Sequence, residues 1–226
     1  MILIERTKTG IPGLDELLNG GFIKGSVVLL CGEAGTGKTI FCSQFLYNGA
    51  TQYGEKGVYL TSEEAPQHIK KSAALFGWDF DKLEAEGKVL IVPVKPFKVE
   101  EIPELVKKFK SEMDIQRLVV DSISLFVMYL ENVYAARKVL YDLITLLQDL
   151  KITTIFTSEI LSKEKGALSR AGIEEFVADA VILLENKVMG GQFRRALSII
   201  KMRMSNHSKK IHPFEITNEG IKIVEI

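Results

Sequence analysis

The sequence predicts an α/β fold, a mostly parallel central sheet extended by antiparallel C-terminal hairpins. Three observations carry this. Short runs of Val, Ile and Leu recur without alternation, as strands buried on both faces require. Segments with helical periodicity lie between those runs. After Leu184, glycine-containing breaks separate paired extended runs.

Taken in order, the strand runs are Val27 to Cys31, Val58 to Thr61, Val89 to Val92, Leu118 to Val120, Thr153 to Phe156 and Ala180 to Leu184. The helical segments are Lys38 to Tyr53, Pro66 to Phe76, Ile102 to Glu112 and Val133 to Asp149. In the last of these, Val133, Ala136, Leu140, Leu143, Ile144 and Leu147 form a stripe at i, i+3 and i+4 that faces a core. Gly190-Gly191 separates Ala180 to Glu185 from Arg195 to Met204, and Asn218-Glu219-Gly220 separates Ile211 to Thr217 from Ile221 to Val224. Both pairs read as hairpins. No repeat and no long Pro/Ser/Gly linker divides the chain, so residues 1–226 read as one domain.

Composition narrows the function. With 29 Lys+Arg against 29 Asp+Glu, the chain has no net charge with which to coat nucleic acid or an anionic membrane. No apolar stretch of bilayer length and no leader pattern occurs, which predicts a cytoplasmic protein without membrane association. Cys31 and Cys42 lie in apolar or helical sequence and read as buried free thiols. The run Lys107-Lys108-Phe109-Lys110 reads as the solvated face of an amphipathic helix. Trp78, after Phe76-Gly77, reads as packing.

Gly32-Glu33-Ala34-Gly35-Thr36-Gly37-Lys38-Thr39 matches G-x-x-x-x-G-K-[ST] between a strand run and a helical pattern. Gly32, Gly35 and Gly37 let the backbone wrap a phosphate with its N–H groups inward, Thr36 and Ile40 belonging to the same cradle. Lys38 supplies charge for the β- and γ-phosphates, and Thr39 a hydroxyl for Mg²⁺. Leu118-Val119-Val120-Asp121 ends in a carboxylate at the same sheet edge, so Asp121 is the second candidate metal group. Tyr59-Leu60-Thr61-Ser62-Glu63-Glu64 places two carboxylates at that edge as well. Continued strand geometry would point them to opposite sides, and Glu63 is favoured as the group that polarises a water. Near the C-terminus, Lys201, Arg203, Ser205 and His207 share one face under period two. That face either grips phosphate from outside or is a charged, solvated strand edge. Asn186-Lys187-Val188-Met189 lacks the aspartate of a guanine-reading N-K-x-D, which favours adenine or leaves the base open.

Thr9-Gly10-Ile11-Pro12-Gly13-Leu14-Asp15-Glu16-Leu17-Leu18 resembles the opening of RecA/RadA-superfamily ATPases. Tyr59 to Pro66, Gly172 to Asp179, and Lys201-Met202-Arg203 with Ser205 and His207 resemble KaiC domains specifically. The resemblance covers about Arg6 to Val224. It implies a RecA-like P-loop NTPase fold, ATP and Mg²⁺ as ligands, and a hexameric ring with ATP between subunits. It further implies Glu63 and Glu64 acting on water in cis, and Lys201 and Arg203 reaching the neighbour's phosphates in trans, with Met202, Ser205 and His207 beside them. KaiC proper has two such domains. Where its autophosphorylating domain has a Ser-Thr pair this chain has Glu175-Phe176, which argues against autokinase activity. Met204 stands where the family usually has glycine.

The reading is an ATPase that couples hydrolysis to conformational signalling, with a protein partner that the sequence does not name. Two other readings stay open. A recombinase paralogue acting on DNA draws on Lys163, Lys165 and Arg170, and is not favoured because the chain lacks net positive charge and an added DNA-binding domain. A nucleotide-dependent scaffold would bind ATP and scarcely turn it over.

Overall fold

The computed structural model describes residues 4–130, 132–160, 168–169, 172–189 and 192–224. A small N-terminal ribbon, β1 (Arg6–Thr7) with β2 (Phe22–Ile23), encloses the short α1 (Leu14–Leu17). The main elements then follow: β3 (Val27–Gly32), α2 (Lys38–Gln52), β4 (Gly57–Thr61), α3 (Pro66–Ala74), α4 (Phe80–Ala85), β5 (Val89–Pro93) and α5 (Ile102–Met113). Next come β6 (Arg117–Asp121), α6 (Ile123–Met128), α7 (Val133–Asp149), β7 (Thr153–Glu159) and α8 (Glu174–Val177). The chain ends in β8 (Ala180–Met189), β9 (Gln192–Met202), β10 (Ile211–Thr217) and β11 (Gly220–Ile223).

One nine-stranded sheet has the order β11-β10-β9-β8-β3-β7-β6-β4-β5. It is parallel from β8 through β3 to β5 and antiparallel from β8 to β11. The fold class expected from sequence is therefore the one observed. Unbroken apolar strands follow from having two cores. Val28, Leu30, Tyr59 and Val119 pack with α2, while Val27, Leu29, Leu60 and Val120 pack with α5 and α7. Each fully buried Leu or Phe contributes roughly 1.5–3 kcal/mol relative to its exposed form.

Two details differ from the periodic reading. Val133 is 56% exposed, and the buried stripe of α7 begins one turn later at Ala136. Val133 is the first helical residue after the cap Asn132, whose Oδ1 accepts from Ala135 N at 2.9 Å. On β9 the face shared from Lys201 to His207 does not form. A bulge lies where Val181 pairs with Lys201 but Ile182 pairs with Ile199, so Ile200 is the extra residue. Ile199 faces the α2 core, and the bulge turns Lys201 to the other side, against α8. The strand then stops at Met202, because Met204 adopts a left-handed backbone with φ +57°. A non-glycine residue there is strained by about 1–2 kcal/mol, partly offset by the greater unfolded-state freedom of glycine. Met204→Gly is expected to raise stability by up to about 1 kcal/mol in a urea titration, and a loss of stability would show that Met204 makes compensating contacts.

Other expectations hold. Cys31 and Cys42 are buried and free. Burial pushes both thiols up from the ordinary cysteine value. Phe109 is buried on α5, while Lys107 and Lys108 are exposed. Trp78 stacks on Phe76 at 4.8 Å and on Tyr47 at 5.9 Å between ring centroids. The Gly190-Gly191 turn lies outside the described residues, as do Lys163, Lys165 and Arg170. Among the described residues no helix is long and apolar enough to cross a membrane.

Candidate nucleotide site

Strands running parallel end at one edge, so the loops after β3, β4, β6 and β7 meet there. They enclose a cavity of about 410 Å³ lined by Gly35, Gly37, Lys38, Thr39, Ile40, Glu63, Glu64, Asp121, Ser122, Glu159, Arg195 and Ile216, with Ala34. Gly35 and Gly37 line the cavity with φ +78° and +104°, the left-handed backbone that a phosphate-wrapping loop requires, and Gly37 is the cap of α2. Lys38 Nζ donates to the carbonyls of Gly32 and Glu33 at 2.9 and 3.0 Å.

Gly32 and Thr36 do not line the cavity. A Cβ at Gly32 would stand 2.6 Å from Thr36 Oγ1 and 2.8 Å from the Leu184 carbonyl, so this glycine serves close packing of the loop against β8. The Thr36 side chain is fully buried and its hydroxyl donates to Glu33 O at 2.8 Å, bracing the loop from within.

Glu63 and Glu64 both face this one cavity, against the expectation of opposite faces. The strand ends at Thr61, whose hydroxyl donates to Glu64 O at 2.7 Å and accepts from Glu64 N at 3.3 Å. This turn cancels the alternation that a continued strand would impose. Glu63 Oε1 accepts from the Ser122 hydroxyl, which holds it beside Asp121. Ser122 also caps α6 by accepting from Leu125 N at 3.4 Å, so the cap is the serine and Asp121 stays directed at the cavity.

Asp121 takes a hydrogen bond on each oxygen. Tyr59 Oη donates to Oδ2 at 2.5 Å and Thr157 Oγ1 donates to Oδ1. Burial first, and then the Asp121 charge, pushes the Tyr59 phenol well above its ordinary value, so it stays protonated as a donor. Thr39 and Asp121 together offer one hydroxyl and one carboxylate, the hard oxygen donors that suit Mg²⁺ when nucleotide phosphates complete its shell.

Arg195, Ile216, Glu159, Ser122 and Thr157 are site residues that sequence reasoning missed. Arg195 pairs with Asn186, beyond the level of Gly32, and its Nε is buried without a hydrogen-bond partner. The signal was available only in the pairing of β8 with β9, which puts Arg195 at the phosphate-loop end and Lys201 at the other.

Lys201 and Arg203 are remote from this cavity. Lys201 is level with Val181 and Leu29, and Arg203 N donates to Asp179 O beside Val27. From Val27 to Gly32 is five residues, roughly 16 Å at about 3.3 Å per residue. Lys201 Nζ donates to the carbonyls of Glu175 and Ala178 at 3.0 and 2.6 Å, and Arg203 NH2 to Phe176 O at 3.0 Å. Burial, and then the Arg203 charge, pulls the Lys201 ammonium below its ordinary value. Met202 is buried, Ser205 Oγ accepts from Arg6 at 2.8 Å, and His207 Nδ1 donates to Ser208 O at 2.9 Å. None of the five lines the phosphate-loop cavity of its own chain.

Comparison with known proteins gives a consistent answer. A model of the family described as "ATPase: KaiC" matches residues 7–226. A UPF0273 protein of Thermotoga maritima is 39% identical, with 98% of this chain and 96% of that protein covered. The circadian clock oscillator protein KaiC of Synechococcus elongatus is 37% identical over 97% of this chain, which spans 44% of its length. The crystal structure of a KaiC-like protein from Pyrococcus horikoshii OT3 superposes with a TM-score of 0.90 at 43% identity, covering 99% of this chain and 100% of that one. The strand order, the phosphate loop and these matches agree, and the RecA-like P-loop fold expected from the sequence stands with them. The chain belongs to the KaiC family of ATPases, and its general activity is the binding and hydrolysis of ATP.

Proposed function

We propose that the protein, acting as one domain over residues 1–226, hydrolyses ATP with Mg²⁺ at sites shared between copies of itself. Turnover is coupled to conformational signalling toward a protein partner. The observation that carries this reading is the separation of Lys201 and Arg203 from the phosphate loop, level with Leu29 and Val27 and so three and five residues down β3 from Gly32. Two cations suited to phosphate are bonded to carbonyls around α8 and not to their own chain's loop, and a second copy docked head to tail would join the halves. Repeated head-to-tail contacts close into a ring, which matches the hexamer implied by the resemblance to KaiC.

Within one copy, the loop from Gly32 to Thr39 and Ile40 binds the triphosphate, and Lys38 neutralises its charge. Thr39 and Asp121 hold Mg²⁺, which supplies charge neutralisation at the phosphates. Glu63, fixed by Ser122, accepts a proton from the attacking water, and Glu64 stands beside it. Lys201 and Arg203 of the next copy leave the carbonyls of α8 for the phosphates, and Met202, Ser205 and His207 accompany them. A change of nucleotide thereby alters what α8 is bonded to, which is a route from chemistry to shape. Residues 172–179 contain no hydroxyl side chain, so this segment signals without being phosphorylated.

Mixed assemblies test the shared site. Arg203→Ala alone is expected to slow hydrolysis by about 10³-fold or more, as loss of an arginine finger does. Lys38→Ala alone is expected to be inactive. In randomly mixed 1:1 rings roughly one site in four combines an intact loop with an intact neighbour, so about a quarter of the wild-type rate should return. Co-expression followed by native mass spectrometry establishes the mixing. Confirmed mixed rings without recovered hydrolysis would remove Arg203 from the trans role.

A further inference from the structure

Tyr59 is wholly out of solvent, with its ring in the core between the sheet and α2, yet its hydroxyl reaches the edge of the nucleotide cavity. In register it is level with Val119, two residues before Asp121 on the neighbouring strand and on the same face. The phenol therefore runs up the strand direction to meet Asp121 Oδ2 from inside the protein. Thr157, on the other neighbouring strand, meets Oδ1. Each donor uses one lone pair of one oxygen, so between them they fix the plane of the carboxylate. The outward lone pairs remain directed at the cavity.

The chemistry of these donors is specific to a task. An arginine or lysine in either place would hold Asp121 as firmly but would cancel the negative charge that attracts a divalent cation. A phenol and an alcohol orient the carboxylate and leave its charge whole. A phenylalanine would fill the same space and leave Oδ2 without its inner partner. Partners of this kind, bonded to a metal-holding group and not to the metal, commonly govern metal affinity.

We infer that Tyr59 is a positioning residue of the metal site, which with Thr157 orients Asp121 and thereby sets the affinity for the divalent cation of the bound nucleotide. The inference rests on the reading of Asp121 as the carboxylate of that site. Neither residue touches substrate, and each acts through Asp121.

The test titrates Mn²⁺ into the full-length protein with ADP, protein being in excess over nucleotide so that the ADP is fully bound, and reads free Mn²⁺ by electron paramagnetic resonance. Tyr59→Phe keeps the ring and deletes the donor. It is expected to weaken Mn²⁺ binding about tenfold, while ADP affinity in the presence of EDTA and the circular dichroism spectrum stay as in wild type. Thr157→Val, of equal shape, is expected to shift Mn²⁺ affinity the same way. Asp121→Asn should lose more than either. If Asp121→Asn loses Mn²⁺ and Tyr59→Phe binds it within twofold of wild type, the positioning role fails and the metal site stands. If Asp121→Asn itself binds Mn²⁺ normally, the metal reading fails and takes the inference with it. An equal loss of ADP affinity in EDTA would assign the Tyr59→Phe effect to packing and overturn the proposal.

Discussion

Glu63→Gln is expected to lower the rate of ATP hydrolysis by about 10²–10⁴-fold, the span that a positioned general base contributes. ATP affinity should stay within a few-fold of wild type. The amide oxygen of glutamine can still accept from the Ser122 hydroxyl that now holds Glu63 Oε1, so the side chain keeps its place. What is lost is the capacity to take a proton, a loss confined to the transition state. Lys38→Ala should behave in the opposite sense, because its ammonium meets phosphate in ground and transition states alike. Phosphate-release assays beside fluorescent-nucleotide titrations separate the two. Hydrolysis at the wild-type rate in Glu63→Gln would transfer the role to Glu64, which lines the same cavity.

That two glutamates share the cavity shows where sequence reading stops. The strands were legible because burial on both faces leaves a run such as Val27 to Cys31 no reason to alternate. The phosphate loop was legible because its glycines and lysine are constrained locally, by φ and by charge. Where a strand ends is a weaker signal. Thr61 closes a turn onto Glu64 and so cancels the alternation that would have sent one glutamate away. The bulge at Ile200 likewise depends on pairing with β8, and nothing in the local sequence announces it. Short elements escaped for another reason. α6 and α8 have six and four residues, fewer than two turns, so no periodic stripe can develop in them. Tyr59 and Asp121 are 62 residues apart, and their hydrogen bond exists only because β4 and β6 are adjacent.

At the far end of α2, Arg117→Ala is expected to destabilise the protein by about 3–5 kcal/mol, the usual result of removing one partner of a buried ion pair. That is a large share of the 5–15 kcal/mol on which a domain of ordinary stability rests. Arg117 is fully buried on β6. Its Nε donates to Glu55 at 2.6 Å, NH1 to Phe45 O and NH2 to Lys8 O, each at 2.7 Å. Its guanidinium lies 4.4 Å from the Phe45 ring centroid, a cation–π contact made in the dry interior. One side chain thus ties the N-terminal segment, α2 and the β6 strand together, and its removal leaves two carbonyls and a carboxylate without their donor. Arg117→Lys should recover little, because a single ammonium on a flexible stem cannot span three acceptors. Glu55→Gln should cost less than half as much, since Glu55 retains contact with solvent and Arg117 keeps both carbonyls. Urea midpoints measured at equal slopes give these differences, and a loss below about 1 kcal/mol for Arg117→Ala would show that Arg117 and its three acceptors contribute no net stability. ADP affinity of the folded fraction should be unchanged. Lys38 and Thr39 begin the 15-residue α2, while Arg117 meets that helix at the Phe45 carbonyl, so roughly 9–10 Å of helix at 1.5 Å per residue separates the stability device from the phosphate chemistry.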